Sequence, residues 1–469
     1  MCETVTYRTQ QFLPPLAVCS PVTMTRRTLI MGAAGRDFHD FVSTFRGNDE
    51  REVVAFTQSF AQNIGELDEI PERTFPASIA GEGYPDGIPI LPESELESIV
   101  EDRDVDEVVL SYSDLAHEYV MHQASRALSA GADFRLIGTE MMLESDTPVV
   151  AVDAVRTGCG KSQASRKLAG ALDDRGVDVV VVREPMPYGD LEAQRVQRFE
   201  SVDDLEAAGV TIEEREEYEH HIERGHVVYA GVDYEAILDE VEAEAEVILW
   251  DGGNNELPFF EPDVHFVLAD PHRPGHELTY HPGETNLRIA DYVVINKENT
   301  AEEADVRTVV ENVGSANPEA EIIHADSVVS VDDPGAIEGA RVLAVEDGPT
   351  LTHGGTATGA ASIAAEQYGA DWVVDPRKGA VGSIADLYDE YPHLGKVIPA
   401  MGYSDEQVAE LERSINNVDC DVVLAGTPID LSQIVDVEKP VVRVRYDIEE
   451  RGEPTFEDVL DEHADVLGL

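Results

Sequence analysis

Residues 148–162, PVVAVDAVRTGCGKS, constrain this chain more than any other stretch. The apolar run at 149–152 (VVAV) reads as a buried parallel strand. It leads into Arg156-Thr157-Gly158-Cys159-Gly160-Lys161-Ser162, after which Ala164, Leu168, Ala169 and Leu172 recur at helical spacing. Strand, glycine loop, Lys-Ser and helix together predict a phosphate-binding loop. Small residues let backbone N–H groups close around phosphate oxygens, and the helix N-terminus adds a favourable dipole. Thr157, Gly158, Cys159 and Gly160 are the expected cradle. Lys161 is expected to reach the β- and γ-phosphates, and Ser162 to hold Mg²⁺ through its hydroxyl. The common pattern has Gly six residues before the Lys, and here that position is Val155. An ordinary glycine-rich turn is the alternative, and the flanking pattern speaks against it.

Further signals follow at the spacing such a unit requires. Residues 247–250 (VILW) end in Asp251-Gly252-Gly253, the Walker B arrangement, in which a carboxylate at the end of a buried strand meets the Mg²⁺. Asp251 and Ser162 are therefore the candidate metal ligands. Residues 292–295 (YVVI) present Asn296-Lys297-Glu298-Asn299, close to the N-K-x-D motif that reads guanine. Asn299 replaces the Asp whose carboxylate accepts two hydrogen bonds from guanine, and an amide cannot supply both acceptors. Asn296 and Lys297 still suit a nucleobase pocket, so ATP and GTP both stay open as cofactors. Between these motifs, residues 177–182 read as a strand and the Glu- and Arg-rich segment 191–225 as a surface-lying helix.

The pattern alternates strand and helix on both sides of this unit, which predicts an α/β fold of three Rossmann-like or P-loop units with mainly parallel sheets. Residues 24–147 form the first, with strands at 28–31, 53–56, 108–111 and 134–137 and a helix at 115–128. Its glycine turn, GAAGRDF at 32–38, is shorter than a dinucleotide fingerprint; it is either a ligand site or a tight turn in a docking domain. The P-loop unit spans 148–335, and a C-terminal α/β unit spans 336–469 with a long patternless loop at 347–355. Residues 1–23 have little pattern and are expected to be a disordered lead.

Charge decides which partners to expect. The 95 acidic residues against 33 basic ones give a formal net charge of −62, spread along a chain that is 42% hydrophobic. An acidic surface over an ordinary core suits concentrated salt, where repulsion is screened within a few Å, and marks a halophile. The basic set, six Lys beside 27 Arg, agrees. With no basic stripe to release counterions, nucleic acid is not an expected partner. Neither is a membrane, because no apolar run approaches the roughly 18 residues a span needs. Cys2, Cys19, Cys159 and Cys420 show no paired spacing, and a cytoplasmic location is expected. Oligomeric state is open, with a homo-oligomer among the options.

Against this acidic background, His265, His272, Arg273, His276, His281 and Arg288 stand out as a cluster, with Arg183, Arg195 and Arg198 nearby candidates. Arg offers a planar fork for phosphate oxygens and His transfers protons near neutrality, so a small phosphorylated substrate is the expected partner. Metal binding by the histidines and scattered, individually satisfied histidines are the alternatives. The candidate catalytic set is Lys161, Asp251, His272, Arg273 and His276. Phosphoryl transfer asks mainly for positioning and charge neutralisation, which these residues supply.

The T-G-x-G-K-S form resembles dethiobiotin synthetase-like ligases. More of the chain, from about Arg26 to the C-terminus, resembles the cyclic 2,3-diphosphoglycerate synthetase-like family, whose members are also described as predicted GTPases. The likeness is carried by MGAAGRDFHDF (31–41), AVRTGCGKS (154–162), PMPYGDLE (185–192), ILWDGGNN (248–255), DPHRPGHE (270–277) and EDGPTLTHGG (346–355). It implies an NTP-dependent closure of 2,3-diphosphoglycerate into an intramolecular phosphoanhydride. A GTPase or ATPase with a regulatory or metallochaperone role is the second reading, and a nucleotide-sensing protein without turnover the third.

Overall fold

The computed structural model describes residues 25–58, 73–184, 189–253, 256–352, 355–402 and 405–469. The expectation for 1–23 falls outside them, as do Cys2, Cys19 and parts of three motifs: 185–188, 254–255 and 353–354.

The fold is α/β with mostly parallel sheets. The first sheet has the spatial order Thr74–Phe75, Ile88–Pro92, Arg51–Gln58, Arg26–Met31, Glu107–Leu110, Asp133–Leu136. Its strands pair in parallel except at the Thr74–Phe75 edge. The helix expected at 115–128 is His117–Ala130, preceded by a two-residue strand, Leu115–Ala116, that pairs with Tyr280–His281 of the next unit.

The second sheet has 13 strands and crosses the boundary expected near residue 335. Its P-loop half runs Val196–Phe199, Val227–Gly231, Val179–Arg183, Val247–Asp251, Val149–Ala154, Val264–Ala269, Tyr292–Ile295, Glu321–Val331. The long strand Glu321–Val331 then pairs antiparallel with Val441–Glu450, which leads in parallel to Val422–Gly426 and Arg341–Asp347. The central strands are buried on both faces, so they read as continuous valine and isoleucine runs rather than alternating ones. Parallel pairing brings their carboxyl ends to one edge, where loops gather.

Two expectations need correcting. Residues 191–225 contain the strand Val196–Phe199 and two helices, Val202–Ala208 and Ile212–Ile222. The second helix starts at a capping box, in which Thr211 and Glu214 each receive the other's backbone N–H. It is not surface-lying: Glu214, Glu216, Glu219, His220 and His221 are all buried, because it packs beneath the P-loop helix Lys161–Asp173. Charge composition suggested a solvated face, and tertiary packing overrode it. The loop expected at 347–355 is helical over Gly348–Thr352. Among the described residues no helix is long and apolar enough to cross a membrane.

Candidate active site

The P-loop strand is fully buried, and Gly158 and Gly160 turn the chain through positive φ angles of 82° and 108°. At Gly160 the need for glycine is also steric, since a Cβ there would collide with the Asn296 side-chain amide. Val155 is tolerated because it continues the sheet: its N–H donates to the Leu268 carbonyl at 2.9 Å and its side chain is buried. No side chain caps the helix that starts at Lys161. Its N-terminus therefore opens into a cavity of about 800 Å³, whose wall includes Thr157, Gly158, Gly160, Lys161 and Ser162.

The Asn296-Lys297 pair braces this loop from behind. Asn296 Nδ2 donates to the Cys159 carbonyl at 3.0 Å. Lys297, held at φ 63°, reaches the Gly158 carbonyl at 2.5 Å and Asp270 at 2.9 Å. Burial acts to raise the Asp270 pKa, but Lys297 and Arg273 overcome it and hold the carboxyl below its ordinary range. Cys159 is buried against Arg273, and burial pushes its thiol pKa up. Asn299, at the guanine-reading position, has both amide faces engaged by one residue: Nδ2 donates to the Ser327 carbonyl at 2.8 Å, and Oδ1 accepts the Ser327 N–H at 3.2 Å.

The histidine–arginine cluster disperses. His272 and Arg273 line the cavity, with His272 bonded to Thr300 and Arg273 to Asp270. His276 does not line it; it meets Arg156 at 2.9 Å, and burial, Arg156 and Arg273 lower its pKa. His265 is buried on Asp153. His281 is buried in the strand that joins the first unit, and Arg288 pairs with Glu284. Arg195 and Arg198 pair with Asp233 and Glu244. In so acidic a chain each guanidinium finds a nearby carboxylate, so sequence proximity did not make one polyanion site.

Asp251 sits at the end of the strand next to the P-loop strand, in register with Val152. No hydrogen bond joins it to Ser162 among the described residues. Its Oδ1 accepts from Ser165 Oγ at 2.7 Å and lies 2.9 Å from Arg183 Nη1, while Oδ2 meets His221 Nε2 at 3.1 Å. Burial acts to raise its pKa, but Arg183, His221 and Lys161 hold it far below the ordinary range. His220 and His221 bring ring nitrogens within 4.8 Å of an Asp251 oxygen, yet Arg183 already supplies the positive charge a metal would bring there. Arg183 is in turn ion-paired to Glu217 on the cavity wall.

Mg²⁺ beside a P-loop needs oxygen ligands that are not already taken. Two carboxylate oxygens around Lys161 meet that requirement. Asp153 Oδ1 and Glu256 Oε2 are buried and have no hydrogen-bond partner, and both carboxylates act electrostatically on Lys161. Sequence reasoning missed both. The visible signal for Asp153 was a lone carboxylate inside an otherwise apolar strand.

The wall facing the P-loop is acidic and is drawn from both halves of the sheet's surroundings: the helix Ile212–Ile222 on one side, and the strand Arg341–Asp347 with the helix Ala360–Gln367 on the other. Glu217, Glu346, Asp347 and Glu366 line it, with Tyr446 beside them. Glu346 is fixed by N–H groups of Gly359, Ala361 and Ser362. Asp347 accepts from Thr350, and burial raises its pKa.

No family model matches the chain. Among solved structures, LpxK of Aquifex aeolicus with ATP covers 78% of this chain and 99% of its own at 13% identity and a TM-score of 0.40. The hydrogenase maturation factor HypB of Archaeoglobus fulgidus covers 38% of this chain and 81% of its own at 17% identity and a TM-score of 0.26. Arginine synthetase ArcE of Thermococcus kodakarensis is 57% identical over 440 residues, covering 94% of this chain and 97% of the relative. At that identity over nearly the whole of both proteins, the chain belongs to the family of synthetase enzymes that includes arginine synthetase ArcE.

Proposed function

We propose that this chain is an NTP-dependent ligase with arginine as its amino-acid ligand, holding the triphosphate against the P-loop and the cationic amino acid against the opposite wall. One observation carries the reading: a single cavity has the Lys161 loop on one side and Glu217, Glu346, Asp347 and Glu366 on the other. Anionic phosphates belong at the first wall, and a planar guanidinium, which pairs with carboxylates, belongs at the second.

An arginine-forming ligase must turn a carbonyl oxygen into a phosphate leaving group. The γ-phosphoryl passes to that oxygen with release of the nucleoside diphosphate. A nitrogen nucleophile then forms the new C–N bond as the C–O bond breaks and phosphate departs. Lys161 and the loop N–H groups would offset charge on the transferring group. Arg183, itself fixed by Asp251, would hold Glu217 in place on the opposite wall.

The finer reading from resemblance, closure of 2,3-diphosphoglycerate, asks for cations around two adjacent phosphates. Of the basic side chains on the cavity wall, Arg273 and Lys297 already bond Asp270, and the facing wall is acidic. That charge pattern favours arginine. Calorimetry in concentrated KCl tests the choice, with a non-hydrolysable triphosphate and Mg²⁺ bound first. Saturable arginine binding that 2,3-diphosphoglycerate does not displace is the expected result. Binding of the diphosphate and none of arginine would reverse the assignment.

A further inference from the structure

We infer that Mg²⁺ is carried in this protein by Asp153 and Glu256, together with the nucleotide phosphates, and not by the Walker B residue Asp251. The inference rests on the NTP-dependent reading above and names the residues that serve its metal.

The two carboxylates come from different elements and converge on one short stretch of backbone. Asp153 is the penultimate residue of the P-loop strand, and its Oδ2 accepts from His265 Nε2 at 3.0 Å, which fixes the group and leaves Oδ1 without a partner. Glu256 follows the Walker B strand. Its Oε1 accepts the Gly253 N–H at 2.5 Å, Asn286 Nδ2 holds its carbonyl at 2.9 Å, and Oε2 has no partner. Both residues have 0% exposure. Gly252 approaches Asp153 and the Gly253 N–H bonds Glu256, and side chains at the two glycines would collide with Asp153 and Glu184. Gly253 and Lys161 both line the cavity, so the free oxygens lie behind the wall where phosphates are expected.

Buried oxygens without donors call for an unseen partner, and a hard cation is one. Mg²⁺ takes oxygen ligands and is commonly held by one or two carboxylates plus substrate phosphates. The His265–Asp153 bond has the form of the outer contact that orients a metal-binding carboxylate. Asp251 offers nothing comparable, since Ser165, Arg183 and His221 occupy both its oxygens. Its place is that of a positioning residue, fixing Arg183 and the P-loop helix.

Mn²⁺ is the probe, followed by electron paramagnetic resonance on the full chain in concentrated KCl with saturating ADP. Asp153→Asn and Glu256→Gln should each weaken Mn²⁺ binding by about tenfold or more, while ADP affinity in EDTA stays at the wild-type value. Asp251→Asn should keep the wild-type Mn²⁺ affinity and lower thermal stability. Should Glu256→Gln fail to fold, Glu256→Asp keeps the charge with shorter reach and should still weaken Mn²⁺. Wild-type Mn²⁺ binding in both Asp153 and Glu256 variants, with loss in Asp251→Asn, overturns the inference while leaving the nucleotide reading intact. Failure of the wild type to bind ADP even in EDTA would remove that reading and the inference together.

Discussion

Two strand–glycine–helix turns in this chain look alike in sequence and differ in one carboxylate. After the strand Arg26–Met31, the turn Gly32-Ala33-Ala34-Gly35 leads into a short helix. Asp37 folds back over it and accepts the N–H groups of Ala34, Gly35 and Phe38 at 2.9–3.2 Å. A Cβ at Gly32 would collide with the same carboxylate. The turn thus carries its own anion. At Gly158–Lys161 no side chain caps the helix, and the N–H groups face a cavity. A helix N-terminus attracts anions wherever it occurs, so occupancy by an internal carboxylate or by phosphate is what separates a closed turn from a binding loop.

Breaking the open turn should have the larger effect. Lys161→Ala should lower nucleotide turnover by on the order of 10²–10³ with the circular dichroism spectrum unchanged, because it removes the charge aimed at the transferring phosphoryl. Breaking the closed turn should cost stability and leave turnover in the surviving folded protein alone. Asp37→Ala strips the N–H groups of Ala34 and Gly35 of their acceptor, while Phe38 keeps the Gly35 carbonyl, a loss of about 2 kcal/mol in a denaturant titration. Equal loss of turnover in both variants would dissolve the contrast.

Acidification sharpens the same contrast, because the first unit and its junction hold histidines that stay neutral when folded. Burial lowers the pKa of His39 and His281 from 6.5 to about 3. A base whose folded pKa lies below its unfolded value binds fewer protons when folded, so stability falls as pH drops from about 6.5 towards 4. Asp40 opposes this more weakly: burial raises its pKa from 3.8 to about 6, which favours the folded state at the acid end of that window. The melting temperature should therefore decline from pH 6.5 to 4, and His39→Asn should flatten the slope.

The smallest expected effect concerns the base. Asn299→Asp restores the letter of a guanine motif, but residue 299 faces the Ser327 backbone rather than open space. The ratio of GTP to ATP turnover should change by less than about tenfold, equivalent to 1.4 kcal/mol. A larger swing to GTP would show that this side chain does read the base.

Much of the fold was legible because parallel strands buried on both faces leave unmistakable apolar runs, as at 149–152, 247–250 and 292–295. The P-loop was legible because glycines at fixed spacing follow one of those runs. The acidic wall was not. Glu217 and Asp347 lie far apart in sequence and meet only because Glu321–Val331 and Val441–Glu450 join the two halves of one sheet. Buried charge misled in the helix Ile212–Ile222, where carboxylates suggested solvent and instead face Arg183, Arg215 and Thr427. The histidines after the Walker B strand misled for the opposite reason: neighbours in sequence, they serve separate partners in space.

The most direct test of the account is the stoichiometry of nucleotide binding, measured by calorimetry on the full chain with Mg²⁺ in concentrated KCl. One nucleotide per chain is expected, bound more weakly in Lys161→Ala and with wild-type affinity in the Asp37 variant. A second nucleotide per chain, or an affinity that Lys161→Ala leaves unchanged, would contradict this.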